Sequence, residues 1–274
     1  MYEKVSSQNF LRQEEGVCIS SGAVENFAHT EVWIRGVCPA TDRHACDRIA
    51  RMVAAEVAKT RNHPAKMVAE GREEMRKIVL TGGPCAGKST VLAVLQQQFA
   101  GQVLVVPEAA TMLLSSGFPL PGRDLQWSPE WQIAFQTAIA RLQPQLERAY
   151  ELQANERGAH ILVCDRGLLD GAAYTPGGLE EFCQRYAVEL DEAHASYTSI
   201  FHLESCSTGA PEFYGTAGNE VRMEAIEEAI ALEHRTRAAW QGHPEWTFLS
   251  CVGGVEGKIR AACQTMRVFI TESR

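Results

Sequence analysis

The stretch KIVLTGGPCAGKST, Lys77 to Thr90, decides how this chain is read. Within it, Gly82-Gly83-Pro84-Cys85-Ala86-Gly87-Lys88-Ser89 fits the phosphate-loop pattern G-x-x-x-x-G-K-[ST]. The flanks agree with the motif. Ile78, Val79 and Leu80 form a short apolar run of the kind a buried parallel strand shows. Beyond Thr90, Leu92, Leu95 and Phe99 recur at helical spacing. Strand, glycine loop and helix, in that order, bring backbone N–H groups and the positive end of a helix dipole to one anion. Glycines let the backbone approach that anion closely. The spacing predicts that Gly82, Gly83, Pro84, Cys85, Ala86, Gly87, Lys88, Ser89 and Thr90 cradle a nucleotide, ATP or GTP. Lys88 is then placed to reach the outer phosphates and Ser89 to ligate Mg²⁺.

Around this loop the chain is ordinary in composition. Its 274 residues, 45% hydrophobic and 22% charged, can bury a core as one large or two small domains. A net charge of −8 argues against a strongly electrostatic nucleic-acid binder, so no nucleic-acid partner is expected. No apolar run approaches the length of a membrane-spanning helix. The opening MYEKVSSQNFLRQEEG lacks the apolar core of a signal peptide. The nine cysteines are scattered, with Cys85 in the loop and Cys164 in an expected strand. That pattern suits reduced thiols in a cytoplasmic protein better than a disulfide framework.

Two regions are expected: an N-terminal extension over residues 1–75 and a P-loop domain over residues 76–274. In the extension, Glu31 to Ile34 reads as a strand and Asp42 to Lys59 as a helix with Ile49, Met52, Val53 and Val57 on one face. Cys38, His44 and Cys46 are three possible metal ligands whose spacing matches no zinc template. From residue 76 on, strands and helices alternate. Strands are expected at Val103–Val106, His160–Cys164, Ser199–Leu203 and Thr247–Ser250. Helices are expected at Thr111–Ser115, Ser128–Gln153, Gly178–Glu189, Glu224–Gln241 and Val255–Thr271. Ser128-Pro129-Glu130 is a helix start: a capping hydroxyl, a proline at the first position and an acid in the first turn. The alternation implies an α/β fold, a parallel sheet with helices on both faces. Ligands of such sheets sit at the carboxyl ends of the strands.

Polar residues that close strands are therefore the candidates for chemistry. Asp165 follows the apolar run Ile161 to Cys164 and is read as a Mg²⁺ partner or a general base, against a plain helix cap. Glu108, after Val105-Val106-Pro107, offers a second carboxylate on the same edge, able to accept a proton from a substrate hydroxyl. Arg166 is either an anion-binding group or a structural ion-pair partner. On the long helix, Trp131, Phe135 and Leu142 read as core. Gln136 resembles glutamines on the same helix of related nucleoside kinases, a likeness that implies hydrogen bonds to an acceptor base or sugar. Arg235 and Arg237, two apart on a helix, point to roughly opposite sides and default to a solvated face. Glu224, Glu227 and Glu228 default to a solvated first turn, and His243-Pro244 to a structural turn.

Five segments also carry a family resemblance: GGPCAGKST, VPEAAT (Val106 to Thr111), CDRGLLDGAAY (Cys164 to Tyr174), PEFYGTAGNEVRMEAIEEA (Pro211 to Ala229) and WQGHPEW (Trp240 to Trp246). In this order they resemble the P-loop family that groups the kinase domain of the bacterial NadR regulator with the insect translocation-defect proteins. The likeness covers roughly residues 76 to 271. It implies a five-stranded parallel sheet of the nucleotide-kinase type, with Glu108, Asp165 and Arg166 lining the site. It also implies that the Gly/Ser/Thr-rich segment Ser205 to Asn219 is a lid that delivers Arg222 to the transferring phosphate. The expected activity is Mg²⁺-dependent transfer of a γ-phosphate from ATP or GTP to a small hydroxylated, nucleoside-like acceptor. Lys88 and Arg222 would stabilise charge, and Glu108 or Asp165 would be the base. The alternative is a nucleotide-dependent switch or trafficking factor with slow hydrolysis and a protein or lipid partner. A mechanical AAA-type ATPase fits less well, because the chain after the loop is short and shows no separate small helical domain.

Overall fold

The apolar runs become five strands of one sheet: β1 (Arg76–Thr81), β2 (Val103–Val106), β3 (Ile161–Asp165), β4 (Ser199–Leu203) and β5 (Trp246–Leu249). The structure is a computed structural model that describes residues 75–211 and 226–271. The strands lie in the order β2-β3-β1-β4-β5 and every pair is parallel. Around them run α1 (Lys88–Gln98), α2 (Ala109–Ser115), α3 (Pro129–Arg157), a 3-10 helix (Leu168–Tyr174), α4 (Gly178–Tyr186) and α5 (Leu190–Ala195). They are followed by α6 (Cys206–Gly209), α7 (Ile226–Ala239) and α8 (Gly254–Thr271). The expected α/β architecture, a five-stranded parallel sheet flanked by helices, is what is found. The strand Glu31–Ile34, the helix Asp42–Lys59, the group Cys38, His44 and Cys46, and residues Arg222 and Glu224 lie outside the described residues. No helix among the described residues is long and apolar enough to cross a membrane.

The sheet sorts its side chains by strand alternation. Ile78 and Leu80 of β1 face a core shared with α1 and α8, while Val79 faces a second core with α3, α4 and Trp240. Both faces are covered, which is why the strands read as continuous apolar runs rather than alternating ones. The connection from β1 to β2 passes over one face and the later connections pass over the other. The direction of winding therefore reverses beside β1, between the loops that leave β1 and β3. That is the crevice where a sheet of this kind receives a ligand.

Local signals account for most boundaries. The Ser128 hydroxyl caps α3 by accepting from Trp131 N at 3.2 Å, with Pro129 and Glu130 in the first turn as expected. The helix runs past the expected Gln153 to Arg157, where Gly158 at φ 70° ends it. The helix expected at Gly178–Glu189 ends at Tyr186, and a second helix that was not expected follows it at Leu190–Ala195. Ala187 takes a left-handed φ of 53°, Val188 N closes on Cys183 O at 3.0 Å, and α5 starts afresh. The 3-10 helix after β3 was not foreseen; Asp170 starts it by accepting the Gly167 N–H at 2.9 Å.

A buried polar network pins the chain where β3 ends. Glu147 of α3 accepts from Lys77 Nζ at 3.1 Å, Gln143 Nε2 at 2.8 Å and the Tyr197 hydroxyl at 2.8 Å. The Tyr197 oxygen in turn accepts from Leu168 N at 3.0 Å. Burial alone would lower the Lys77 pKa, but the Glu147 carboxylate outweighs it and holds the ammonium above its ordinary value. Glu147→Ala leaves the Lys77 ammonium only Glu151, at 3.4 Å, and strands the buried Tyr197 phenol. A loss of about 3 kcal/mol in unfolding free energy is expected, read from the denaturant midpoint at neutral pH. An unchanged midpoint would show that the network is dispensable.

Candidate functional site

The phosphate loop is shaped by close approaches from three other elements. Gly82 has φ 137°, and a Cβ there would lie 2.1 Å from Leu203 O of β4. Gly83 donates its N–H to Glu233 Oε2 of α7 at 2.6 Å, and a Cβ there would meet that same oxygen at 2.6 Å. Only glycine fits either position. Pro84 O accepts from the Ser205 hydroxyl, and Ala86 O accepts from Lys258 Nζ of α8 at 2.9 Å. Cys85 is exposed at φ 57°, and Gly87 starts α1 at φ 85°. No side chain caps α1 and its first turn holds no acid. Among the described residues, the N–H groups of Cys85 to Ser89 donate to no protein acceptor. The result is an open anion-binding helix end.

Strand ends bring the charged groups to the same crevice. Lys88 Nζ donates to Gly82 O at 2.9 Å and Gly83 O at 3.0 Å. Burial, reinforced by the Arg166 charge, lowers its pKa to about 8. β3 pairs with β1 so that Asp165 stands opposite Leu80. Burial first, and the Glu108 charge second, raise Asp165 from 3.8 to about 6. Its Oδ1 is buried and has no hydrogen-bond partner among the described residues. The next residue, Arg166, sits at a left-handed φ of 68°, a strain of about 1–3 kcal/mol that the surroundings must hold. They do so on three sides. Arg166 N donates to Leu80 O at 3.1 Å, Nε to Glu108 Oε1 at 2.7 Å, and Nη1 to Asp170 Oδ1 at 3.0 Å.

Glu108 caps no N–H at the start of α2; it accepts instead from Thr111 Oγ1 at 2.5 Å and from Arg166. Burial would raise its pKa, but Arg166, Thr111 and Lys88 together hold it below the ordinary carboxylate value. The two strand-end acids thus depart in opposite directions. Asp170, buried beneath them, accepts from Thr81 Oγ1 at 2.5 Å and Trp240 Nε1 at 3.1 Å as well as from Arg166.

The structure brings together the loop, Lys88, Glu108, Asp165 and Arg166, and shows Arg166 as an ion-pair partner of two acids. Gln136 is buried on α3 with its Oε1 unpartnered, against the 3-10 helix at Gly171. Trp131 and Phe135 stack at 5.0 Å, beside Phe118. Arg235 and Arg237 are exposed on α7, as expected, and both also make contacts. Arg235 donates to Ala173 O at 2.8 Å, and Arg237 lies over the Trp246 and Phe248 rings at 5.3 and 4.9 Å. His243 is structural, as read: its Nε2 meets Tyr197 O at 3.0 Å. Asp170, Glu233 and Lys258 escaped the sequence reading. A signal existed for the last two. Glu233 falls on the stripe of Ala229, Leu232 and Thr236, and Lys258 on that of Ile259, Ala262 and Met266, where a charge facing the core needs a reason.

The displacement of Asp165 has a consequence for stability. Its folded pKa is above the unfolded 3.8, so the folded state binds the proton more tightly. Stability therefore falls as pH rises from about 4 to about 6, and the whole penalty stands above pH 6. Asp165→Asn should stabilise the protein by on the order of 2 kcal/mol at pH 7.5 and change little at pH 4. Urea titrations at the two pH values measure this, and equal effects at both would refute it.

A family model described as an AAA domain matches residues 77–256, from β1 into the first turn of α8. No curated protein matches the chain. The matched span contains the loop, both strand-end acids, Asp170 and Glu233, and takes in well over half of the sequence. A P-loop domain of this type is a nucleotide-binding domain, usually with Mg²⁺. By that match, and by the parallel sheet that carries the phosphate loop, the chain belongs to the AAA domain family of P-loop NTPases.

Proposed function

We propose that residues 76–274 form a Mg²⁺-dependent kinase-like domain that moves the γ-phosphoryl group of ATP or GTP to a small hydroxylated, nucleoside-like acceptor. Residues 1–75 would be a separate extension. The observation that carries this is the pair of carboxylates beside the open loop, Asp165 with a buried, unpartnered oxygen and Glu108 held by Arg166 and Thr111. Two acids whose pKa values are pushed apart by their surroundings have different jobs.

Asp165 and Ser89 are the metal side. A buried carboxylate oxygen without a partner and an exposed hydroxyl at the start of α1 are hard oxygen donors, the class Mg²⁺ takes. The bound ion would neutralise charge on the phosphates. Lys88 would leave the Gly82 and Gly83 carbonyls for the outer phosphates, whose charge restores its ammonium. Glu108 is the acceptor side. Held ionised by Arg166, it accepts hydrogen bonds only, so it would orient the acceptor hydroxyl and take its proton as the new P–O bond forms and the bond from the γ-phosphorus to the bridging oxygen breaks, releasing the nucleoside diphosphate. A weak base suffices, because phosphoryl transfer depends mainly on positioning and charge stabilisation. Arg166 would hold Glu108 in place, Gln136 would meet the acceptor base or sugar, and Arg222 would add charge at the transferring group. The motif resemblance to the NadR and translocation-defect family supports this assignment.

Turnover of MgATP and MgGTP, measured with and without a panel of nucleosides, tests the reading. An acceptor should accelerate turnover in the wild type. Glu108→Gln should cut transfer about 10²-fold while leaving nucleotide affinity nearly intact. Turnover that no acceptor accelerates, with a protein or lipid partner bound only in the triphosphate state, would favour the switch.

Nucleotide binding itself has a direct check. Lys88→Ala removes one charged contact worth about 1.5–3 kcal/mol, so nucleotide affinity should fall about tenfold or more by calorimetric titration. Unchanged affinity in a folded Lys88→Ala protein would refute phosphate binding by this loop.

A further inference from the structure

We propose that Lys258 is a second lysine of the phosphate site: a positioning residue that grips the loop from behind and aims its N–H groups at the phosphates. The inference rests on the nucleotide-binding reading and extends it to α8.

Lys258 is 1% exposed. Its Nζ donates to two backbone carbonyls, Ala86 O at 2.9 Å and Glu204 O at 2.5 Å. Among the described residues no carboxylate pairs with it; the nearby Glu204 side chain is occupied by Cys251 N at 2.7 Å. A buried cation without a counter-charge is costly to keep. A core that needed only filling would hold an apolar side chain here. The missing negative charge has a natural source across the loop, where the phosphates would lie.

The orientation follows from the peptide plane. The Ala86–Gly87 bond is planar and trans, so its C=O and N–H point in opposite directions. Lys258 pulls the Ala86 carbonyl toward α8. The Gly87 N–H is thereby turned to the opposite side, where α1 begins. The Ser205 hydroxyl does the same to Pro84 O, and so turns the Cys85 N–H inward. α8 also stands close to the loop: a Cβ added to Gly87 would lie 3.6 Å from Val255 Cγ2. Donors fixed before the ligand arrives need no ordering on binding, which is where preorganisation gains affinity.

Two variants separate aim from charge. Lys258→Met keeps the length and the apolar stem; Lys258→Gln keeps a donor for Ala86 O without the charge. MgATP and MgGTP are titrated into each by calorimetry, with thermal melting as the check of folding. Lys258→Met should weaken triphosphate binding about ten- to a hundredfold, as loss of a charged hydrogen bond does, and Lys258→Gln should fall between it and wild type. Amide hydrogen exchange at saturating nucleotide is the second readout. The Gly87 N–H should be protected in wild type and exchange faster in Lys258→Met. If Lys258→Met does not fold, Lys258→Gln alone decides, by at least a severalfold loss of affinity. Unchanged triphosphate affinity in a folded variant, or unchanged Gly87 protection despite weaker binding, would overturn the proposal and leave Lys258 a tie between α8 and β4. A wild type that binds neither triphosphate would overturn the nucleotide reading itself, and this step with it.

Discussion

A loop of backbone polar groups has no ladder to satisfy it, and everything in this site depends on how that need is met behind the phosphate loop. Three side chains from three elements meet it: Glu233 takes the Gly83 N–H, Ser205 the Pro84 carbonyl and Lys258 the Ala86 carbonyl. Groups not taken from behind are left facing forward. The loop's affinity for anions is therefore set by its packing as much as by its own residues. Satisfying buried backbone groups is obligatory in any case; here the same bonds also decide which donors stay open.

The acids and Arg166 obey a second constraint, charge balance among groups that are mostly buried. Lys88 and Arg166 face Glu108, Asp165 and Asp170, which leaves an excess of one negative charge if all are ionised. Asp165 bears the cost: burial first, and the Glu108 charge second, raise its pKa to about 6. A divalent cation would reverse the sign and leave the site ready for phosphates. The strain at Arg166 belongs to the same economy. Its left-handed backbone is tolerable only because Leu80, Glu108 and Asp170 hold the residue at once. Stability is given up at Asp165 and Arg166 so that charge and geometry are in place beforehand.

What could be read from sequence was what is local. The loop motif, the five apolar runs and the Ser128-Pro129-Glu130 start each lie within a few residues, and all appear where expected. The turn at Ala187 was missed because alanine gives no sign of a left-handed backbone, and the 3-10 helix because Gly167 before it offers no capping side chain. The loop's supports were missed for another reason. Glu233 is 150 residues from Gly83 and Lys258 is 172 from Ala86, and neither residue type by itself distinguishes a buried charge from a solvated one on the same helix. Only its place on the apolar stripe gives it away. Arg235 shows the opposite case, an exposed arginine whose guanidinium is nonetheless committed to a backbone carbonyl.

The strand order explains why so few long-range bonds suffice. β1 has β3 on one side and β4 on the other, and neighbouring strands are only about 4.8 Å apart. β3 ends in Asp165 and leads directly to Arg166, and β4 leads directly to Glu204 and Ser205, so both immediate neighbours deliver site groups to the mouth of β1. Had another strand stood between β1 and β3, Arg166 could not donate to Leu80 O and reach Glu108 and Asp170 together. The core beneath is a different kind of structure. Ile78, Leu80, Val163 and Phe201 are held by volume and apolar surface, and substitutions that conserve both cost less than about 1.5 kcal/mol. No such latitude exists at Gly83 or Glu233, where a methyl group would collide with a carboxylate and a lost carboxylate would leave a buried N–H without an acceptor. Sequence freedom in this domain therefore ends at the loop's supports rather than at its core.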